Sequence, residues 1–277
     1  MITNKSRLKV GHMTYLNSEV FYRKLPIGSC DLVAMSPRTM AEAVERGRLA
    51  AGPLPSAAVI RLGGLVRSLG NLGVASHGAA MSVLLFSHVP VDQLCGKRIA
   101  ITSHTVTSVQ LLRVLFADLW RVSGHRFVET TDGHDAVLWI GDLALARRDS
   151  SEYQYRYDLG DAWKDLTGLP FVFAEWVVGT EIPKPEADRF EQKLIQATYD
   201  GLRSVDEIIR ARTIHHMSDS DVSEYVQNFT YFLGSEERAG QREFDRRLNS
   251  LSGWRQQGYK LELGVDEPTT EEVISAP

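Results

Sequence analysis

The chain has 277 residues against about 150 for an ordinary domain, so it is one large domain or two modest ones with ample length for a buried core. At 43% hydrophobic and 24% charged residues it is neither disordered nor fibrous. Thirty-one Lys and Arg against 35 Asp and Glu give a net charge of −4, without the basic excess that phosphate backbones reward, so no nucleic-acid partner is expected.

In chain order, residues 7–14 alternate apolar and polar side chains as a strand does, then break at Tyr15-Leu16-Asn17-Ser18 into a helix start capped by Asn17 or Ser18. A short strand, Leu32–Met35, precedes Ser36-Pro37, which opens a helix through Arg46 that stops at Gly47. Ala51–Ser56 leads to another helix start at Ser56, and its two prolines argue against a central strand. Leu72–Ala75 and Met81–Ser87 read as strands joined by the small residues 76–80. Lys97–Ile101 is a strand, Thr102 to Thr107 supply caps, and Ser108–Leu119 repeats its apolar residues at helical spacing. Ala136–Ile140 is a buried strand ending at Gly141-Asp142 before a short helix. Glu152–Tyr157 reads as a half-exposed strand, 158–168 as an amphipathic piece, and Phe171–Val178 as one more strand. From Pro185 onward the pattern is almost wholly helical, with an apolar face of Phe190, Leu194, Ala197, Tyr199 and Leu202 and a cap at Ser218–Asp221.

This alternation predicts α/β architecture with parallel sheets covered on both faces. Crossings at 90–92 and 178–179 would give two lobes: residues 1–90 with 178–277, and residues 91–177, with a ligand cleft between them. Cys30 and Cys95 are far apart and form no CxxC pair, which fits a reducing compartment. Residues 1–7 lead into no apolar signal region and no stretch is long and apolar enough to span a bilayer, so a cytoplasmic protein without a membrane partner is expected.

Ligands of open α/β sheets sit beyond the C-terminal ends of strands, which singles out Tyr15 and Asn17, Ser36, Ser56, Ser103–Ser108 with Thr107, and Gly141-Asp142. Any one alone reads as a helix cap; together they offer hydroxyls, an amide and helix N-termini suited to a carboxylate or phosphate. Ser82 interrupts a buried strand, where its hydroxyl either bonds neighbouring backbone or serves a ligand. His77 is either a general base or a solvated loop histidine. No HExxH or Cys/His cluster signals a metal, and no GxSxG, P-loop or GxGxxG is present.

Several segments resemble the chorismate dehydratase family of the futalosine route to menaquinone. They are Val10-Gly11 through Tyr15-Leu16-Asn17, the run Ser82-Val83-Leu84-Leu85-Phe86-Ser87, Thr102-Ser103 with Thr107-Ser108, Ile140-Gly141-Asp142 with Ala144-Leu145, and Asp158 through Trp176. Val106 departs from the family, which often has Arg there, as do Ala50, Pro53 and Pro55, where an acidic residue and Val are usual. The resemblance implies a two-lobed, type-2 periplasmic-binding-protein-like fold. It also implies a lyase that dehydrates chorismate, a small dicarboxylate, to 3-[(1-carboxyvinyl)oxy]benzoate without a cofactor, with Asn17 and Ser82 at the substrate. Tyr15, Ser36, Ser56, His77, Ser103, Thr107, Ser108, Gly141 and Asp142 are the expected binding residues, in a monomer or homodimer. The rival expectations are a solute-binding or sensor protein for an aromatic carboxylate, since fold does not fix function, and the sister synthase of 1,4-dihydroxy-6-naphthoate.

Overall fold

The computed structural model describes residues 7–102, 105–129, 133–214 and 216–254. β1 (Lys9–His12) buries Val10 and Gly11 and passes through a 3-10 turn at Leu16–Ser18 into α1 (Glu19–Tyr22). After β2 (Asp31–Ala34), the Ser36 hydroxyl accepts a hydrogen bond from Thr39 N at 3.3 Å and Pro37 fills the first turn of α2 (Pro37–Glu45). β3 (Ala51–Pro55) runs directly into α3 (Ser56–Leu62), followed by β4 (Val66–Ser76), β5 (Val83–Ser87) and β6 (Arg98–Ile101). Next come α4 (Thr107–Asp118), β7 (Arg126–Val128), β8 (Ala136–Ile140), α5 (Gly141–Arg147) and β9 (Tyr155–Asp158). Asp158 caps α6 (Leu159–Thr167) by accepting Gly160 N at 2.8 Å, and β10 (Phe171–Gly179) follows. The tail holds α7 (Lys184–Leu202), α8 (Val205–Ala211), α9 (Asp219–Gln227), β11 (Thr230–Phe232) and α10 (Ser235–Ser250), with Ser218 and Asp221 forming a capping box on α9.

Six strands form one sheet in the order β11-β4-β10-β3-β1-β2, and five form a second in the order β7-β6-β8-β5-β9. The expected all-parallel sheets are corrected to mixed ones. β1, β2 and β3 run parallel, as do β6, β7 and β8, but β10 is antiparallel to β3 and β4, and β5 to β8 and β9. Both reversals belong to the strand that follows a passage between sheets. Those passages lie at 77–82 and 159–170, not at 90–92 and 178–179, because β5 pairs in the second sheet and β10 in the first.

Ala51–Pro55 is a central strand despite its prolines, buried over all five residues. Its pairing with β1 is the couple Val10 and Ala51, whereas its pairing with β10 extends to Pro55 opposite Ala174. Pro53 and Pro55 thus lie past the end of the β1 ladder, where no N–H is required on that side. Two further differences are β4, which begins at Val66, and β11, a strand inside the tail expected to be almost wholly helical. Tyr199 leaves the apolar face of α7; it is 48% exposed and stacks on Phe232 at 4.3 Å.

One core cluster, including Met40, Leu54, Leu85, Leu112, Trp163 and Phe171, reaches across both sheets. Val177 belongs to it, whereas Trp176 and Val178 join a second cluster with Phe21, Phe190 and Tyr225, as the two faces of one strand require. Among the described residues no helix is long and apolar enough to cross a membrane.

Candidate functional site

A cavity lies between the sheets at the C-terminal ends of β1, β3 and β8 and the N-terminus of α4. Tyr15, Asn17, Ser82, Thr107, Ser108 and Gly141 line it together, with Met13, Pro55, Val106, Phe173 and Phe229 among the apolar walls. None of its described lining residues is Asp, Glu, Lys, Arg or His.

The turn after β1 supplies the first polar group. The buried Tyr22 hydroxyl accepts Met13 N at 3.2 Å and donates to Gly11 O at 3.1 Å, which pins the backbone entering the turn. The Asn17 Oδ1 accepts from the Ser18 hydroxyl at 3.3 Å, while the Asn17 amide nitrogen bonds no described residue and is free for a ligand. The Tyr15 ring lies over Gly141, whose φ is +60°; a Cβ there would stand 2.7 Å from the ring. Burial, reinforced by Asp142, pushes the Tyr15 phenol up to about 12, so it keeps its proton at neutral pH.

Ser82 reaches the cavity from the segment leading into β5. Its Oγ lies 2.8 Å from the Tyr225 hydroxyl and donates to Ala80 O at 3.3 Å, so it bonds both neighbouring backbone and a side chain of α9. The preceding Met81 has φ 61°, an uncommon left-handed value. The Asp158 carboxylate holds this bend by accepting Ala80 N at 2.9 Å and Met81 N at 2.7 Å. Burial raises the Asp158 carboxyl above its ordinary range, against the lowering effect of those N–H groups.

The N-terminus of α4 closes the third side. Its N-cap is Val106, which offers no side-chain oxygen to the first N–H groups. The buried Thr105 hydroxyl beside it has no partner among the described residues. A bare helix N-terminus with a free hydroxyl favours a carboxylate through N–H donors and the helix dipole together. The Thr107 hydroxyl is already engaged, accepting Ala57 N of α3 at 3.1 Å and so linking the two halves of the molecule.

Other expected site residues stand elsewhere. Ser36 caps α2, and Ser56 donates to Val172 O at 2.6 Å; neither lines the cavity. His77 also lies off the cavity, its Nε2 2.6 Å from Glu237 in the first turn of α10. Asp142 faces a more open pocket next door, shared with Thr14, Tyr15, Thr102 and Arg212. Burial raises its carboxyl, opposed by the Leu16 N–H and Arg212. Ser103 lies outside the described residues. Tyr225 and Arg212 were not signalled: Tyr225 sits with Val222 and Val226 on the buried stripe of α9, which reads in sequence as plain core. Among the described residues no three His, Cys, Asp or Glu side chains gather into a metal-holding group.

The sequence profile of a family described as menaquinone biosynthesis matches residues 8–250. The chorismate dehydratase of Thermus thermophilus is 30% identical over 205 residues, covering 65% of this chain and 72% of that one. A protein of Archaeoglobus fulgidus superposes with a TM-score of 0.73 at 14% identity, covering 89% of this chain and 98% of its own. The periplasmic aliphatic sulphonate binding protein of Escherichia coli does so with a TM-score of 0.59 at 17% identity, over 88% and 92% of the two chains. The fold is therefore the periplasmic-binding-protein fold, and with its profile match extending from β1 to the end of α10, the chain belongs to the menaquinone biosynthesis family.

Proposed function

We propose that this cavity dehydrates chorismate to 3-[(1-carboxyvinyl)oxy]benzoate without a cofactor. The observation that carries the reading is the polar set itself: a free Asn17 amide, the Ser82 hydroxyl and a bare α4 N-terminus, converging on a largely apolar cavity with no charged side chain among its described lining residues. The likeness to a chorismate dehydratase gives this set a fitting substrate.

Dehydration needs little machinery because it makes the ring aromatic. The C–H bond at ring C3 breaks, its electron pair becomes the new ring double bond, and the C4 hydroxyl leaves with its bonding pair and takes up the proton removed from C3 to become water. The base in this account is the substrate's own enolpyruvyl carboxylate, held within reach of the C3 proton. Held geometry supplies effective molarities of about 10⁵ M or more, enough to replace a protein base. Asn17 donates from its amide nitrogen to the departing C4 oxygen. Ser82 accepts from Tyr225 and turns its one proton from Ala80 O to the enolpyruvyl carboxylate, which it positions. The ring carboxylate is bound by the α4 N-terminus and the Thr105 hydroxyl.

The test incubates the purified protein with chorismate and follows its loss and the product mass. A product lighter by one water is expected. Asn17→Asp, which removes a donor and sets a carboxylate against a dianion, and Ser82→Ala should each lower kcat by about 100-fold, the scale of losing one transition-state donor. Near-wild-type rates in both variants would overturn the assignment, and tight binding with unchanged chorismate would show a binding protein instead.

A further inference from the structure

Gly141 and Asp142 open α5 and touch both halves of the cavity. The Gly141 N–H donates to Ser82 O at 2.8 Å. Asp142 Oδ1 accepts the Leu16 N–H at 2.9 Å, one residue before Asn17 and 126 residues away in sequence. The other Asp142 oxygen lies 2.5 Å from Arg212 Nη2, and Arg212 Nη1 lies 2.7 Å from Glu19 Oε1, in the helix that continues from Asn17. Glu19 in turn holds Arg23 at 2.7 Å. Asp142 itself is absent from the lining of the cavity. One dipeptide therefore anchors the Ser82 backbone through an N–H and the Asn17 turn through a carboxylate, and the guanidinium of Arg212 fixes the direction of that carboxylate.

We infer that Asp142, oriented by Arg212, is the positioning residue that sets Asn17 against Ser82 across the cleft. A charged acceptor makes the bond to Leu16 stronger than a neutral one would. Arg212, bonded at once to Asp142 and Glu19, keeps the carboxylate from turning toward solvent in the neighbouring pocket. The effect on turnover rests on the dehydratase reading; the effect on the Leu16 amide does not.

The experiment uses the full chain as wild type, Asp142→Ala, Asp142→Asn and Arg212→Gln. It measures kcat and KM on chorismate together with the hydrogen-exchange rate of the Leu16 amide. Asp142→Ala should lower kcat by about 100-fold, the cost of misplacement by about 1 Å, with KM changed by less than about threefold. Its Leu16 amide should exchange at least about tenfold faster, as expected for a hydrogen bond worth about 1.4 kcal/mol or more. Asp142→Asn keeps an oxygen for Leu16 and should recover most of both losses. Arg212→Gln should fall between them, and it decides the matter if Asp142→Ala does not fold. An unchanged Leu16 amide in Asp142→Ala, or an Asp142→Asn no better than alanine, overturns the inference. A wild-type protein that leaves chorismate intact overturns the dehydratase reading alone, because Leu16 exchange still decides the role of Asp142.

Discussion

Replacing Gly141 by alanine perturbs the site at its narrowest contact. The residue has φ +60°, and an ideal Cβ would stand 2.7 Å from Tyr15 Cδ1 and 2.8 Å from its Cε1. Left-handed backbone costs an L residue about 1–2 kcal/mol, offset by about 0.4–1 kcal/mol because alanine narrows the unfolded ensemble. Pushing a half-buried, packed ring aside adds about 1–3 kcal/mol. The net loss is therefore about 1–4 kcal/mol. Gly168 is a matched control, since its φ is +73° but nothing lies within 4 Å of its added Cβ. Gly168→Ala should carry the backbone cost alone, about 0–1.6 kcal/mol. Urea unfolding of both variants isolates the ring contact as their difference, and in a Tyr15→Ala background Gly141→Ala and Gly168→Ala should cost the same. Equal losses in Gly141→Ala and Gly168→Ala would refute the argument that Tyr15 requires a glycine beneath it.

Thr107→Val leaves the Ala57 N–H of α3 without its acceptor and should cost about 1–2 kcal/mol in urea unfolding, while Thr107→Ser should stay near wild type. Loss in both, or in neither, would show that the hydroxyl is not what matters. The Glu243 carboxyl is brought down to about 2 by hydrogen bonds from Arg246 and Arg247, against a usual value of 4.5. A depressed folded value means that its stabilisation is fully present above about 4.5 and disappears as pH falls towards 2. Glu243→Gln should accordingly flatten the stability profile in that window, measured by thermal unfolding, and leave the slope near neutrality unchanged.

Local chemistry was legible in the sequence. Ser36-Pro37, Asp158 and Ser218 with Asp221 mark helix starts where the backbone N–H groups find those side chains, because capping is settled within three residues. Pairing across the sheet was not. The prolines of β3 argue against a central strand by a rule about a missing donor, yet the β1 ladder ends before they are reached. The lobe boundaries were misplaced because membership of β5 and β10 depends on partners far away in sequence. The same limit applied to the site. Tyr15, Asn17 and Gly141 were visible as polar or flexible residues at strand ends and Ser82 as a polar break in a buried strand, and the structure gathers them around one cavity. Ser36, Ser56 and His77 carried the same signal, but their hydroxyls and ring are engaged elsewhere, in a cap, a bond to backbone and a hydrogen bond with Glu237. Tyr225 and Arg212 reach the site by tertiary packing alone.

The insertion of β10 between β4 and β3 also fixes the order in which a growing chain can fold. The second sheet is drawn from an unbroken stretch, residues 83–158, so it can close as soon as that stretch leaves the ribosome. The first sheet must wait for residues 171–179, and until they emerge β3 and β4 each present an open edge. Such a half-made chain carries an edge on which strands of neighbouring chains can pair, the situation that nascent-chain chaperones relieve. Tyr225 and Phe229 arrive later still, so the cavity is completed only near the end of synthesis.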